Sequence, residues 1–205
     1  MPITHRFNPE LNALENNHTF FGHPVHPQSR FLFIGTFNPS DDSCLEPNTS
    51  EWFYGRVKNK FWKYMPTALT GVSLHPADGH LGYPQTWKDY CVDQRIVIID
   101  LIKTIETDDV LPNFSDRVVD SKIADDLGNT VYFDIRAAFA GITFEKVIYS
   151  LRWTDNMLQR LPQVRGIVNE ALLDTGCIHN INQIRYCTTP SRNDAFNSWD
   201  LAINH

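Results

Sequence analysis

Four short apolar runs divide the chain. Residues 31–36, 96–101, 146–150 and 184–188 each carry closely spaced Val, Ile, Leu, Phe or Tyr, the pattern of buried strands. The second run, Ile96 onward, shows almost no polar alternation and predicts a strand covered on both faces. Between the runs, apolar residues recur at helical spacing. Phe61, Met65 and Leu69 share one face of a helix expected over 60–70, with Asn59 as its N-cap and Gly71 as its stop. Val118, Val119, Ile123 and Leu127 recur in the same way behind Ser115 or Asp116, either of which could cap that helix. A helix is expected over 130–140. Residues 153–161 and 164–174 form one helix broken by Pro162, or two, with Gly176 as the stop. Residues 195–203 predict a closing helix. Residues 1–29, which include His23-Pro24-Val25-His26-Pro27, are expected to be an irregular lead-in, because proline removes donors and restricts its neighbours. Residues 71–94 are expected to be loop-rich.

Alternating strands and helices predict an α/β fold, three-layer α/β/α, with a central four-stranded, mostly parallel sheet and right-handed crossovers. In such a sheet the loops after the first and last strands meet at one end. With 205 residues and 42% hydrophobic content, the chain can bury one sizeable core, so a single domain over 1–205 is expected. No stretch has the length of a membrane span, and Met1 to Arg6 lack the apolar core of a signal peptide. A cytoplasmic monomer is the expectation. Cys44, Cys91, Cys177 and Cys187 are far apart, and the eight histidines show no paired metal spacing, so neither a disulfide framework nor a metal nor any other cofactor is expected. Nucleophile elbows of Gly-x-Ser-x-Gly type and glycine-rich phosphate loops are missing, which weakens ordinary hydrolase and dehydrogenase readings.

A net charge of −6 opposes a nucleic-acid partner, since phosphate contacts supply most non-specific affinity. The distribution offsets this. Arg56, Lys58, Lys60 and Lys63 cluster beside Trp52-Phe53-Tyr54, Arg192 lies in the last loop, and the acids collect at 106–109 and 116–126. A solvated helix start explains the basic cluster as well as a phosphate-binding face does.

The first strand empties into Gly35-Thr36-Phe37-Asn38-Pro39, and Tyr54 stands five residues ahead of Asn59-Lys60-Phe61-Trp62. This order of Gly, Asn-Pro, aromatic and Asn-x-Phe-Trp resembles the uracil-DNA glycosylase superfamily, especially its mismatch-specific uracil/thymine and hypoxanthine branches. Residues 95–101 with Asp100 are similar to the second core strand of that family, and Thr189-Pro190-Ser191-Arg192-Asn193 resembles the loop after its last strand. The resemblance spans about residues 30–195, in the family's chain order. The chain departs from the pattern in having one extra residue between Gly35 and Asn38, Ser40 in place of the usual Gly, Arg56-Val57-Lys58 in place of a segment containing Pro, and Thr189 where Leu or His is usual.

The resemblance implies a monofunctional DNA glycosylase that flips out a deaminated or damaged base, uracil or hypoxanthine foremost, and cleaves its N-glycosidic bond with water. It assigns water placement to the Asn38 amide oxygen, with Asp41 and Asp42 as alternative bases; an Asn-Pro turn with solvated carboxylates explains the same residues without chemistry. Tyr54 becomes the stacking platform, with Phe53 pointing inward, while Gly35, Thr36, Phe37 and Asn59 border the base. Arg56, Lys58, Lys60, Thr189, Pro190, Ser191 and Arg192 become the DNA contacts. Asp100 is expected to cap the next loop, or else to orient a catalytic group. Two other outcomes remain open: a non-catalytic nucleic-acid or protein-binding module on the same fold, and a hydrolase of free nucleosides.

Overall fold

The apolar runs pair as parallel strands whose register decides which loops become neighbours. A computed structural model describes residues 2–40, 45, 48–56, 58–79, 82–107, 110–113, 115–125, 129–150, 158–191 and 194–205. In chain order the elements are β1 (Ile3–Thr4), α1 (Asn8–Asn17), β2 (Thr19–Phe20), β3 (His23–Pro24), β4 (Gln28–Gly35), α2 (Phe61–Thr70), α3 (Gln85–Gln94), β5 (Ile96–Asp100) and β6 (Ile102–Ile105). They continue with α4 (Asp116–Asp125), β7 (Thr130–Tyr132), α5 (Ile135–Ala138), β8 (Thr143–Tyr149), α6 (Leu161–Asp174), β9 (Ile184–Tyr186) and α7 (Phe196–Asn204).

The four expected strands form one sheet in the order β5-β4-β8-β9, and every pairing in it is parallel. Parallel neighbours cannot be joined by tight turns, so the connections carry helices, and these flank the sheet. α3 packs on β5, and α7 packs on β8, β9 and α2. All five residues of β5 are buried, as its unbroken apolar run predicts. Register sets Gly35 beside Asp100 and Ile34 beside Tyr149, which fixes the geometry of the strand ends.

The helix expected over 60–70 forms at Phe61–Thr70, and Gly71 ends it in the left-handed region, φ 77°; its N-cap is Lys60 rather than the expected Asn59, whose side chain accepts the Phe61 N–H at 2.9 Å from one residue further back. Four tryptophans, Trp52, Trp62, Trp87 and Trp199, are almost fully buried. Three of them stack in a column with Tyr83: Tyr83 on Trp87, Trp87 on Trp62 at 4.9 Å and 4°, and Trp62 on Trp52 at 5.4 Å and 22°. The indole N–H groups of Trp62 and Trp87 donate to the carbonyls of Phe53 and Leu74, each at 2.8 Å.

Several local expectations are corrected. The lead-in is structured. Pro9 sits in the first turn of α1, where its missing N–H costs no bond, and Leu11 and Leu14 are buried one turn apart. β1 pairs antiparallel with β6, and β6 with β7, giving a second, three-stranded sheet. The segment expected to be loop-rich contains α3, whose Trp87 and Cys91 bury at i,i+4 spacing. The helix expected over 130–140 is instead β7 followed by the single turn α5, because the Asp134 carboxylate accepts the N–H groups of Arg136 and Ala137 and starts the helix there. Pro162 lies in the first turn of α6 rather than breaking a longer helix, and most of the expected helix over 153–161 lies outside the described residues. Among the described residues, no helix is long and apolar enough to cross a membrane.

Candidate functional site

Because all four strands of the central sheet run the same way, their carboxyl ends share one edge, the position where open α/β sheets place ligands. A cleft of about 880 Å³ lies along it. Its lining unites the three segments singled out in the sequence: Gly35, Thr36, Phe37 and Asn38 after β4; Tyr54, Arg56, Lys58 and Asn59 ahead of α2; and Thr189, Pro190 and Ser191 after β9. The last two are tied directly, the Lys60 backbone N–H donating to the Pro190 carbonyl at 3.0 Å. Asp41, Asp42 and Arg192 lie outside the described residues.

Gly35 forms part of the cleft floor because nothing larger fits. A methyl group on it would stand 2.0 Å from Asp100 Oδ1 and 2.3 Å from the Tyr54 hydroxyl. Tyr54 itself is held in the left-handed region, φ 57°, rare for a residue with a side chain. Two contacts hold it there. Its ring lies flat on Phe61, 4.2 Å between centroids and 7° between planes, and its hydroxyl meets Ser150 Oγ at 2.7 Å. Ser150 Oγ also lies 3.2 Å from the Ile34 carbonyl, which ties the phenol to the end of β4. Burial, reinforced by Asp100, pushes the Tyr54 phenol well above its ordinary range and keeps it neutral.

Asp100, buried at the end of β5, accepts a 2.8 Å hydrogen bond on Oδ2 from His5 Nε2. His5 Nδ1 accepts the Phe7 N–H at 3.0 Å, so the Nε2 side of the ring carries the proton that faces Asp100. The Asp116 carboxylate, at the start of α4, also lines the cleft. Thr36 hydrogen-bonds to it, but burial, with Asp100 and Asp120 nearby, raises its pKa from 3.8 to about 6.

Comparison with protein-family models, curated proteins and solved structures finds no match to this chain.

The Asn38 amide oxygen is taken up inside the protein. It accepts from Asn48 Nδ2 at 2.8 Å and from Arg56 Nη2 at 3.1 Å, which occupies both of its lone pairs. The oxygen expected to place water is thus already engaged by two protein donors. Arg56, expected on phosphate, also donates through Nε to Asn48 Oδ1 at 3.3 Å, so the guanidinium braces the turn after β4. Asn59 spends its side-chain oxygen on the start of α2, while its carbonyl accepts from His75 Nε2 at 3.1 Å. The Thr189 and Ser191 hydroxyls lie 3.2 Å apart at the mouth, and Lys58 is exposed there. Among the described residues, no group of three or more His, Cys, Asp or Glu side chains is placed to hold a metal ion.

Sequence reasoning missed His5, Asn48, Asp116 and Ser150. Ser150 directly follows a strand, and the strand-end rule points to it. Asp116 is hidden in an acidic tract whose ordinary meaning is a solvated helix start. His5 reaches the site through the β1–β6 pairing and a bridge to Pro39, which no local pattern announces.

Proposed function

We propose that the chain is a monofunctional N-glycosyl hydrolase with a three-layer α/β/α fold of the uracil-DNA glycosylase type, removing a damaged or deaminated base from DNA. The observation that carries this reading is the meeting of the turn after β4, the Tyr54 segment and the Thr189–Ser191 bend on one cleft. The flipped base lies against Tyr54 over Gly35, and Lys58, Thr189 and Ser191 at the mouth take the flanking phosphates.

In the reaction the C1′–N bond breaks with its electron pair going to the base, a water oxygen bonds C1′, and the water proton passes to a base on the protein. Asp116 suits that step better than Asn38, since a carboxylate with a pKa near 6 is ionised at neutral pH yet basic enough to accept a proton. Its negative charge also favours the cationic sugar of the transition state. Asn38 keeps the turn in shape through Asn48 and Arg56.

Incubating the protein with labelled duplexes that contain uracil, hypoxanthine, xanthine, mismatched thymine or an alkylated purine, followed by alkaline cleavage, tests the reading. Strand breaks at one or more lesions are expected; intact strands throughout, at stoichiometric protein, overturn it. The two carboxylates in the cleft favour one rival, hydrolysis of free nucleosides, whose sugar cation they would equally stabilise. Cleavage of free deoxyuridine or deoxyinosine as fast as of the same base in DNA would establish that rival.

A further inference from the structure

We infer, building on the base-excision reading, that the cleft selects a base bearing positive charge, an N-alkylated purine, over neutral keto bases such as uracil and hypoxanthine. The floor around Gly35 presents acceptors. The Tyr54 hydroxyl oxygen and Asp100 Oδ1 are both directed over Gly35, and Asp116 lines the same cleft. The neighbouring imidazole meets Asp100 on Oδ2 and leaves Oδ1 to the cleft. Of the cations that line the cleft, Arg56 is engaged by Asn38 and Asn48, and the Lys58 side chain is exposed.

Leaving-group charge then decides between substrates. Uracil and hypoxanthine depart as anions, and a departing anion beside two carboxylates is destabilised when the transition state is reached. A 7-methylguanine or 3-methyladenine ring is cationic while attached. When its C1′–N bond breaks, the electron pair neutralises the ring, so no anion forms, and water supplies the new C1′–O bond. Acceptors on the floor meet the donors such a ring carries, and a cationic ring laid against Tyr54 gains cation–π attraction as well.

The test is single-turnover release from otherwise identical duplexes holding 7-methylguanine, 3-methyladenine, uracil or hypoxanthine, each corrected for spontaneous loss. Release of the methylated purines at least about tenfold faster than of uracil or hypoxanthine is expected. Faster or equal release of the keto bases overturns the inference and leaves base excision standing, whereas no release of any base removes both. In Asp100→Asn the preference for methylated purines should shrink by about tenfold; an unchanged ratio overturns the assignment. Should that variant fail to fold, wild-type binding to cleavage-resistant 2′-fluoro-7-methylguanine DNA is compared with its neutral 7-deaza analogue at one salt concentration. Tighter binding of the cationic base supports the inference, and equal binding overturns it.

Discussion

His5 and Asp100 lie 95 residues apart in the chain and are joined at the cleft by a 2.8 Å hydrogen bond. The N-terminal segment is thus a structural part of the site. His5→Ala leaves Asp100 Oδ2 without its donor and the Phe7 N–H without its acceptor, a cost of about 1–3 kcal/mol in a urea titration. Base release should fall mainly in kcat, since the imidazole positions Asp100 and does not reach the substrate. A variant with unchanged stability and kcat would remove His5 from that role.

Gly35→Ala places a methyl group within 2.3 Å of two polar oxygens. The backbone there has an ordinary strand conformation, so the damage is steric: Asp100 and Tyr54 must both move. Overpacking of this kind costs about 1–3 kcal/mol, and base release should drop by orders of magnitude while the far-ultraviolet circular dichroism is retained. Activity at the wild-type level would mean that the floor does not contact the base.

Asp116 connects stability and activity with opposite signs. Its folded pKa of about 6 exceeds the ordinary 3.8, so between those values the native state binds a proton that the unfolded chain has released. Stability therefore falls as pH rises from about 4 to 6 and remains lower above that window. Asp116→Asn removes the penalty. It should be more stable than the parent at pH 7 by on the order of 1–2 kcal/mol, with the gain vanishing near pH 4. Base release by the parent should rise through the same window, and Asp116→Asn should lose most of it. Denaturant titrations at pH 4.5 and 7, beside a pH–rate profile, check both halves.

Asn38→Ala and Asn38→Asp separate bracing from chemistry. Alanine abandons the donors of Asn48 and Arg56, costing about 1–3 kcal/mol. Aspartate keeps an acceptor for both and adds an ion pair with Arg56. Base release should be lost with alanine and largely kept with aspartate. Equal loss in the two variants, at equal stability, would show that the amide nitrogen acts in the reaction.

The parallel sheet was legible because its four strands are dense apolar runs, with boundaries blurred by only a few residues: β8 begins at Thr143 where 146 was expected, and β9 ends at Tyr186 rather than 188. Three parts of the cleft were legible because each follows a strand or starts a helix. The acid side was not. Asp100 looks like any carboxylate at a strand end, and its meaning comes from a register that sets it beside Gly35. Asn48 lies in a loop of mixed polar residues, and its role arises from satisfying Asn38, Arg56 and Ser50 together. Such partnerships are tertiary and leave no periodic trace. Proline misled in two places: the lead-in, read as irregular for its prolines, contains α1 with Pro9 in its first turn, and Pro162, read as a break, sits in the first turn of α6.

The column of Tyr83, Trp87, Trp62 and Trp52 gives the protein an optical property of its own. Indoles stacked at 4.9 and 5.4 Å are close enough for their transitions to couple, so a coupled aromatic circular-dichroism signal is expected. Trp62 is clamped to the Phe53 carbonyl, one residue before Tyr54, so that signal registers whether the wall of the cleft is assembled, with no label and no nucleic acid in the cuvette.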